Sequence, residues 1–406
     1  MRTVVLLLLR GLMPGALLST MLFSTMLLSS AALLGACEPA KHQRGGIAEA
    51  VEASPQVRVW RGEWHVTDFS RATVPLSEII SGGPPRDGIP PIDEPAFVPV
   101  AEAATWLASD EPVLVYRRDG DARAYPLQIL IWHEIVNDVV GGQPVAVTYC
   151  PLCNSALVFD RTVGGRVLDF GTTGKLRHSD LVMWDRQTES WWQQLTGEAI
   201  VGRHSGTRLT FLPSQMVAFR TFAAAFPQGR VLSRETGHSR PYGTNPYRGY
   251  DAPENAQPFL LQDRADPRLP AMERVVALEL GGEARAYPYG VLAAYGGVAN
   301  DSLGGQPLVV FLEQETRSVL DHAQIAQARA VGSGVVYDPR VDGRRLTFQA
   351  TAAGWRDKET GSLWDAFGRA RAGALAGSLL TPRNHDNSFA FAWLVFRPDS
   401  DIWRGP

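Results

Sequence analysis

Ala122-Arg123-Ala124-Tyr125-Pro126 returns unchanged as Ala284-Arg285-Ala286-Tyr287-Pro288. The recurrence does not stop there. Asn137-Asp138, followed by Gly141-Gly142-Gln143-Pro144, returns as Asn300-Asp301, followed by Gly304-Gly305-Gln306-Pro307. Val158-Phe159-Asp160-Arg161 is echoed by Val336-Tyr337-Asp338-Pro339-Arg340, and Asp185, Thr188 and Ser190 by Asp357, Thr360 and Ser362. The order is kept from end to end, so two copies of one supersecondary unit, related by pseudo-twofold packing, are the economical reading. Residues kept in both copies read as scaffold: the Asn-Asp and Gly-Gly pairs as turns, the Tyr-Pro pair as a strand-to-helix corner.

Three features belong to the first copy alone. Trp132-His133-Glu134 stands where the second copy has Ala294-Tyr295-Gly296, give or take one residue. Cys150-Pro151-Leu152-Cys153 falls where the second copy runs through Phe311-Leu312-Glu313 into an insertion. The loop from Gly171 to Asp180 is longer than its counterpart. The first copy therefore carries a site and the second supports it.

The strand-like runs Pro144 to Tyr149 and Ala156 to Phe159 flank the cysteine pair, which makes Cys150 to Asn154 a tight turn between strands. Thioredoxin differs, because there the pair opens a helix. A Cys-Pro-x-Cys turn followed by a residue that tolerates the left-handed conformation resembles a metal knuckle. One knuckle supplies two thiolates, so a tetrahedral ion needs two more ligands, from His133, His178, Asp180 or Met183. With Met183, copper(I) suits the set better than zinc. The redox reading uses Cys150 and Cys153 as a dithiol/disulfide pair. It needs a depressed thiol pKa, with Lys175, Arg177 or protonated His133 supplying positive charge and His133 or Glu134 moving the proton. A plain staple is the third reading, but so short a loop yields little entropic stabilisation. His65, His204, His238, His322 and His385 have no ligand-like neighbours in sequence, and Tyr149, Trp184, Trp191 and Trp192 read as core or pocket wall.

The chain of 406 residues is 45% hydrophobic and 20% charged, which is long enough and apolar enough for one large or two medium domains. A net charge of -3 gives no reason to expect a nucleic-acid partner. With 39 Gly and 28 Pro, short strands are favoured over long helices. Residues 3–36 are almost wholly apolar and end in Leu34-Gly35-Ala36-Cys37. That is a lipoprotein signal: cleavage frees Cys37 for diacylation and anchors the chain to a membrane. The competing reading is an uncleaved span. Both put the remainder outside the cytoplasmic membrane, in an oxidising compartment.

The expected organisation is a signal peptide over 1–37 and a tether over 38–57. The first copy, with the site, covers 58–225; a connector covers 226–270; the second copy, without the site, covers 271–406. Trp60 to Phe69 reads as a strand, Val100 to Leu107 as a short helix, and Val113 to Ala124 as a hairpin about Asp119-Gly120. Leu209 to Phe226 reads as a helix broken by Pro213, Val231 to Ser233 as a strand, Arg240 to Tyr250 as a loop, and Phe389 to Phe396 as a buried closing element. The fold class is α+β, predominantly antiparallel β.

Several ordered motifs carry a family resemblance: Gly82-Gly83-Pro84-Pro85, His133-Glu134-Ile135-Val136-Asn137-Asp138, Tyr149-Cys150-Pro151-Leu152-Cys153, Ser179-Asp180-Leu181-Val182-Met183 and Asp185 to Ser190. Together, over residues 60–400, they resemble the uncharacterised family catalogued as domain of unknown function 3179. The resemblance implies export or lipid anchoring. Some members are labelled as selenoproteins, which implies redox chemistry at a cysteine position. Position 178 is commonly Asn in that family, so His178 departs from its pattern, leaving Cys150, Cys153 and His133 as the core. The leading expectation is thus a thiol/disulfide centre at Cys150 and Cys153 with His133 assisting. The alternatives are a copper or zinc site using Cys150, Cys153 and His133, with His178 as a further ligand, and a non-catalytic binding lipoprotein. No redox or metal-delivery partner is named by the sequence.

Overall fold

The structure, a computed structural model, describes residues 54–406. The expected signal peptide over 1–37, with the expected lipidation at Cys37, and residues 38–53 of the expected tether lie outside the described residues. The architecture is α+β and mostly antiparallel, with short helices between strands.

Pro112–Arg118 pairs with Asp121–Pro126 through Asp119-Gly120, both at positive φ (49° and 83°). This is the twist-matched two-residue turn that Asp-Gly favours. Pro126 then sets the N-terminus of the helix Leu127–His133, and Pro288 does the same for Tyr289–Ala294. Gln215–Ala218 flanks the hairpin on one side and Arg230–Leu232 on the other, the latter running parallel. The order recurs over Asp386–Phe389, Arg274–Leu280, Glu283–Pro288 and Asp401–Ile402, again with the last pair parallel.

A second sheet runs Thr210–Leu212, Ser155–Asp160, Gln143–Cys150, Ile135–Val140, and the order Thr381–Pro382, Ser333–Asp338, Gln306–Glu313, Val298–Leu303 matches it. The third sheet centres on Phe170–Arg177 with Asp180–Asp185, and its counterpart on Phe348–Thr351 with Gly354–Asp357.

Residues shared by the two halves make the same bonds twice. Arg123 Nη1 meets Asp138 at 2.5 Å, and Arg285 Nη1 meets Asp301 at 2.7 Å. Trp192 Nε1 and Trp364 Nε1 each donate to an aspartate, Asp185 and Asp357, at 2.9 Å. Thr188 and Thr360 bond the same two carboxylates. These are scaffold contacts.

The halves are built into each other. One buried cluster joins Tyr125, Val147 and Cys153 to Val275, Ala277 and Phe389; another joins Val113, Val115 and Val217 to Phe311, Val335 and Tyr337.

Four local expectations are corrected. Residues expected to start a strand at Trp60 instead end a helix, Pro55–Arg61, because Pro55 sits at its first turn and Val57 and Trp60 share one buried face. Leu209 to Phe226 is not one broken helix. It forms the strands Thr210–Leu212 and Gln215–Ala218, then the helix Phe219–Ala225, since Gln215–Ala218 is wholly buried and completes the ladder with Pro112–Arg118. Asn137 and Asp138 are strand residues, and Gly141-Gly142 alone makes the turn. The Gly171 to Asp180 loop is a hairpin extension with a bulge between Thr172 and Lys175, turning at His178 and Ser179.

Candidate functional site

Cys150 ends its strand paired with Ser155, and the four residues between form the turn. Pro151 fixes one φ, and Asn154 takes the left-handed conformation at φ 53°. The other half clamps this turn: Phe389 N donates to Cys153 O at 2.9 Å, and Asn154 Nδ2 donates to Asn387 O at 2.9 Å. Tyr250 Oη donates to Leu152 O at 3.1 Å.

Both cysteines are free thiols. Cys153 Sγ lies 3.4 Å from Asp180 Oδ1, and both sulfurs point toward Ser179 O, at 3.6 Å from Cys153 and 3.9 Å from Cys150. Among the described residues, Cys150, Cys153 and Asp180 form a buried group whose ligand atoms all lie within 4.8 Å of one another. The carboxylate is aimed by its other oxygen, which accepts from Gln193 Nε2 at 2.6 Å and Leu195 N at 3.0 Å. Outer partners of this kind orient a ligating carboxylate.

Electrostatics set the terms of the chemistry. Burial pushes the Cys150 thiol up, and the Asp180 and Glu134 charges add to it. Burial pushes Cys153 up further, with Cys150 and Asp180 contributing. Asp180 is raised to about 6, mainly by burial. Glu134 is raised to about 8 by burial and by the Asp180 charge. The depressed thiol pKa expected for a reactive cysteine is therefore not found. Lys175 pairs with Glu63 at 3.7 Å and Arg177 with Glu78 at 2.7 Å, so neither serves the sulfurs as an ion-pair partner.

The two histidines do not join the group. His133 Nδ1 bonds Pro90 O at 2.7 Å and Nε2 bonds Tyr242 Oη at 2.5 Å; burial lowers its pKa to about 4. His178 stands at the hairpin tip, 3.3 Å from Glu78 and 3.7 Å from Asp263. Met183 is buried on Asp180–Asp185, opposite Thr172 and Trp192. Of the four further ligand candidates that the sequence offers, the structure selects Asp180.

Glu134, which sequence reasoning places behind His133, is the acid nearest in importance to the cysteines. It is 6% exposed and caps the helix Leu127–His133 at φ 58°. Among the described residues, no group bonds its carboxylate. Its backbone is held at both ends: Glu134 N donates to Leu130 O at 2.7 Å, and Tyr149 N donates to Glu134 O at 2.8 Å. In the other half the corresponding two backbone bonds belong to Gly297, at φ 76°. Glycine adopts that conformation freely, whereas Glu134 carries strain on the order of 1–3 kcal/mol.

Glu134 and Cys150 share the wall of a cavity of about 90 Å³, with Lys175, Leu152, Leu181 and Phe259. Its roof is the Pro/Gly-rich run at Gly82 and Pro84, which lies so close over Gly174 (φ 68°) that a side chain there would strike the Pro84 carbonyl. A larger open cleft, about 660 Å³, is lined by Glu313 and Trp355 of the other half and by Arg220 and Thr221 of the first, and has no cysteine.

Fold and site together define a β-rich protein of two interlocked halves with a buried Cys-Cys-Asp centre in one of them. The chain belongs to the family described as Protein of unknown function (DUF3179), whose model matches residues 86–400 and so takes in Glu134, Cys150, Cys153 and Asp180. No curated protein and no solved structure matches it.

Proposed function

We propose that the protein is an extracytoplasmic lipoprotein, anchored through Cys37, that holds a thiophilic metal ion at Cys150, Cys153 and Asp180. The observation that carries this reading is the mutual approach of three ligand atoms within 4.8 Å in a fully buried place. Three acids packed together out of water need either protons or a cation, and a divalent ion supplies the missing charge. The donor set fits zinc. Zn–S bonds of about 2.3 Å and Zn–O bonds of about 2.0 Å put tetrahedral S···O edges near 3.5 Å, and Cys153 Sγ to Asp180 Oδ1 is 3.4 Å. A carboxylate as third ligand favours zinc over copper(I), and Met183, three residues along the same strand from Asp180, falls on the opposite face of the sheet. Metal analysis of protein purified without chelator tests the reading: one zinc per chain is expected, and metal that neither co-purifies nor can be restored contradicts it.

The thiol/disulfide reading keeps one observation in its favour. Cys150 lines the cavity while Cys153 lies behind it, its thiol on Asp180. In that chemistry Cys150 and Cys153 give up two protons and two electrons to the disulfide of a partner protein, which leaves as a dithiol. Burial and the raised thiol pKa values count against it. Free-thiol titration on the sample used for metal analysis separates the two, because a metal-free, reversibly oxidised pair supports the redox reading.

A further inference from the structure

Structural zinc sites close with four protein ligands, whereas reactive ones keep a position open. The Cys150, Cys153 and Asp180 group supplies three side-chain ligands, and Cys150 forms part of a cavity wall. On the same wall stands Glu134, 6% exposed, with a carboxylate that no described group bonds. The backbone there adopts φ 58°, where the other half of the molecule has glycine. A strained, buried and unpartnered acid beside an incomplete ligand set does nothing for the fold, since removing it would relieve both strain and desolvation.

We propose that this cavity admits a small, neutral, proton-bearing ligand, water or a short thiol, to the fourth position of the ion, and that Glu134 accepts the ligand's proton. The inference rests on the metal reading above. The step balances without an oxidant. Burial and the Asp180 charge hold Glu134 protonated in the ion-free protein; the bound cation offsets both and leaves it a carboxylate. One O–H or S–H bond of the ligand then breaks, the lone pair left behind binds the ion, and the proton goes to a Glu134 carboxylate oxygen. The size of the ligand follows from the cavity. About 90 Å³ falls well short of the roughly 150 Å³ of a cavity that takes up benzene, so a nucleotide or sugar is too large, and the apolar walls at Leu152, Leu181 and Phe259 suit an alkyl group.

Cobalt(II) loading of the full chain followed by ethanethiol titration tests this, read by the thiolate-to-cobalt charge-transfer band. In the wild-type protein ethanethiol should raise the band by about half, as two sulfur donors become three. Glu134→Gln should keep the cobalt band, showing an intact ion site, yet bind ethanethiol about tenfold or more weaker. If the cobalt band forms but ethanethiol leaves it unchanged, the position is closed and the proposal is overturned while the ion site stands. Equal ethanethiol affinity in Glu134→Gln removes Glu134 from the role. Absence of any charge-transfer band on cobalt addition overturns the ion site itself, and this proposal with it.

Discussion

Glu134 destabilises the strand start on which it stands, through a left-handed backbone and a carboxyl held out of water. Replacing it with the residue found at the matching place in the other half should therefore stabilise the ion-free protein. Glu134→Gly is expected to raise unfolding free energy by roughly 1–3 kcal/mol, measured by urea denaturation; a loss of stability would show that the carboxylate has a structural partner. The buried acids also set a pH dependence. Glu134, Asp180 and Asp386 have folded pKa values raised to about 8, 6 and 7, chiefly by burial. An acid whose folded pKa is raised holds its proton more tightly when folded, so its contribution to stability falls as pH climbs from the unfolded value toward the folded one. His133, lowered to about 4, works the other way and loses stability as pH falls below its unfolded value. Between about pH 6 and about pH 8.5 Glu134 and Asp386 decide the sign. His133, His178 and His385, all lowered by burial, are neutral in both states over most of that window. Chelator-treated protein should therefore melt lower at about pH 8.5 than at about pH 6. Zinc should narrow that gap, because the ion replaces the protons. A melting temperature that rises across this window contradicts the burial argument.

The cysteine turn depends on its left-handed fifth residue and on the strand Asp386–Phe389 that clamps it. Asn154→Gly keeps the conformation and loses one side-chain bond, so a cost near 1 kcal/mol is expected, whereas Asn154→Val adds strain and should cost roughly 2–3 kcal/mol. Equal costs in chemical denaturation would remove the conformational argument. Much at this scale is legible in the sequence. Asp119-Gly120 marks its hairpin, Tyr-Pro marks both strand-to-helix corners, and alternation places Cys150 between strands. What is not legible has physical causes. Gln215–Ala218 reads as helix by composition and becomes a strand only because the ladder beside it is open. His133 and Glu134 are adjacent in sequence, but the helix ends between them. The left-handed turn leaves Glu134 on the cavity wall while His133 bonds Pro90 and Tyr242. No periodicity in the sequence announces that reversal. The sequence offers Asp180 only as one ligand candidate among four, because its approach to Cys153 depends on a hairpin extension that reads as loop.

Across the whole molecule, two hydrophobic clusters each draw strands from both halves, and the Cys153 carbonyl is bonded from residue 389. Each half also has a smaller cluster of its own, but the two largest clusters and the cysteine turn are completed only by the other half. A fragment ending at residue 270 should lack cooperative unfolding and should hold no ion, as read by calorimetry and metal analysis; a cooperative, ion-binding fragment would contradict the interlocked packing. The same dependence explains why a half without cysteines is retained: its strand supports the turn from behind. The proposed lipid anchor belongs to this scale too. Mass spectrometry of the membrane fraction should find a chain that begins at a diacylated Cys37, and a chain that keeps residues 1–36 argues for an uncleaved span instead. The most direct test of the account is zinc content per chain in three proteins purified alike: wild type, Cys153→Ser and Asp180→Ala. The account predicts one zinc in the wild-type protein and a loss of most of it in both variants. Wild-type protein without restorable zinc, or Asp180→Ala retaining the full complement, would contradict it.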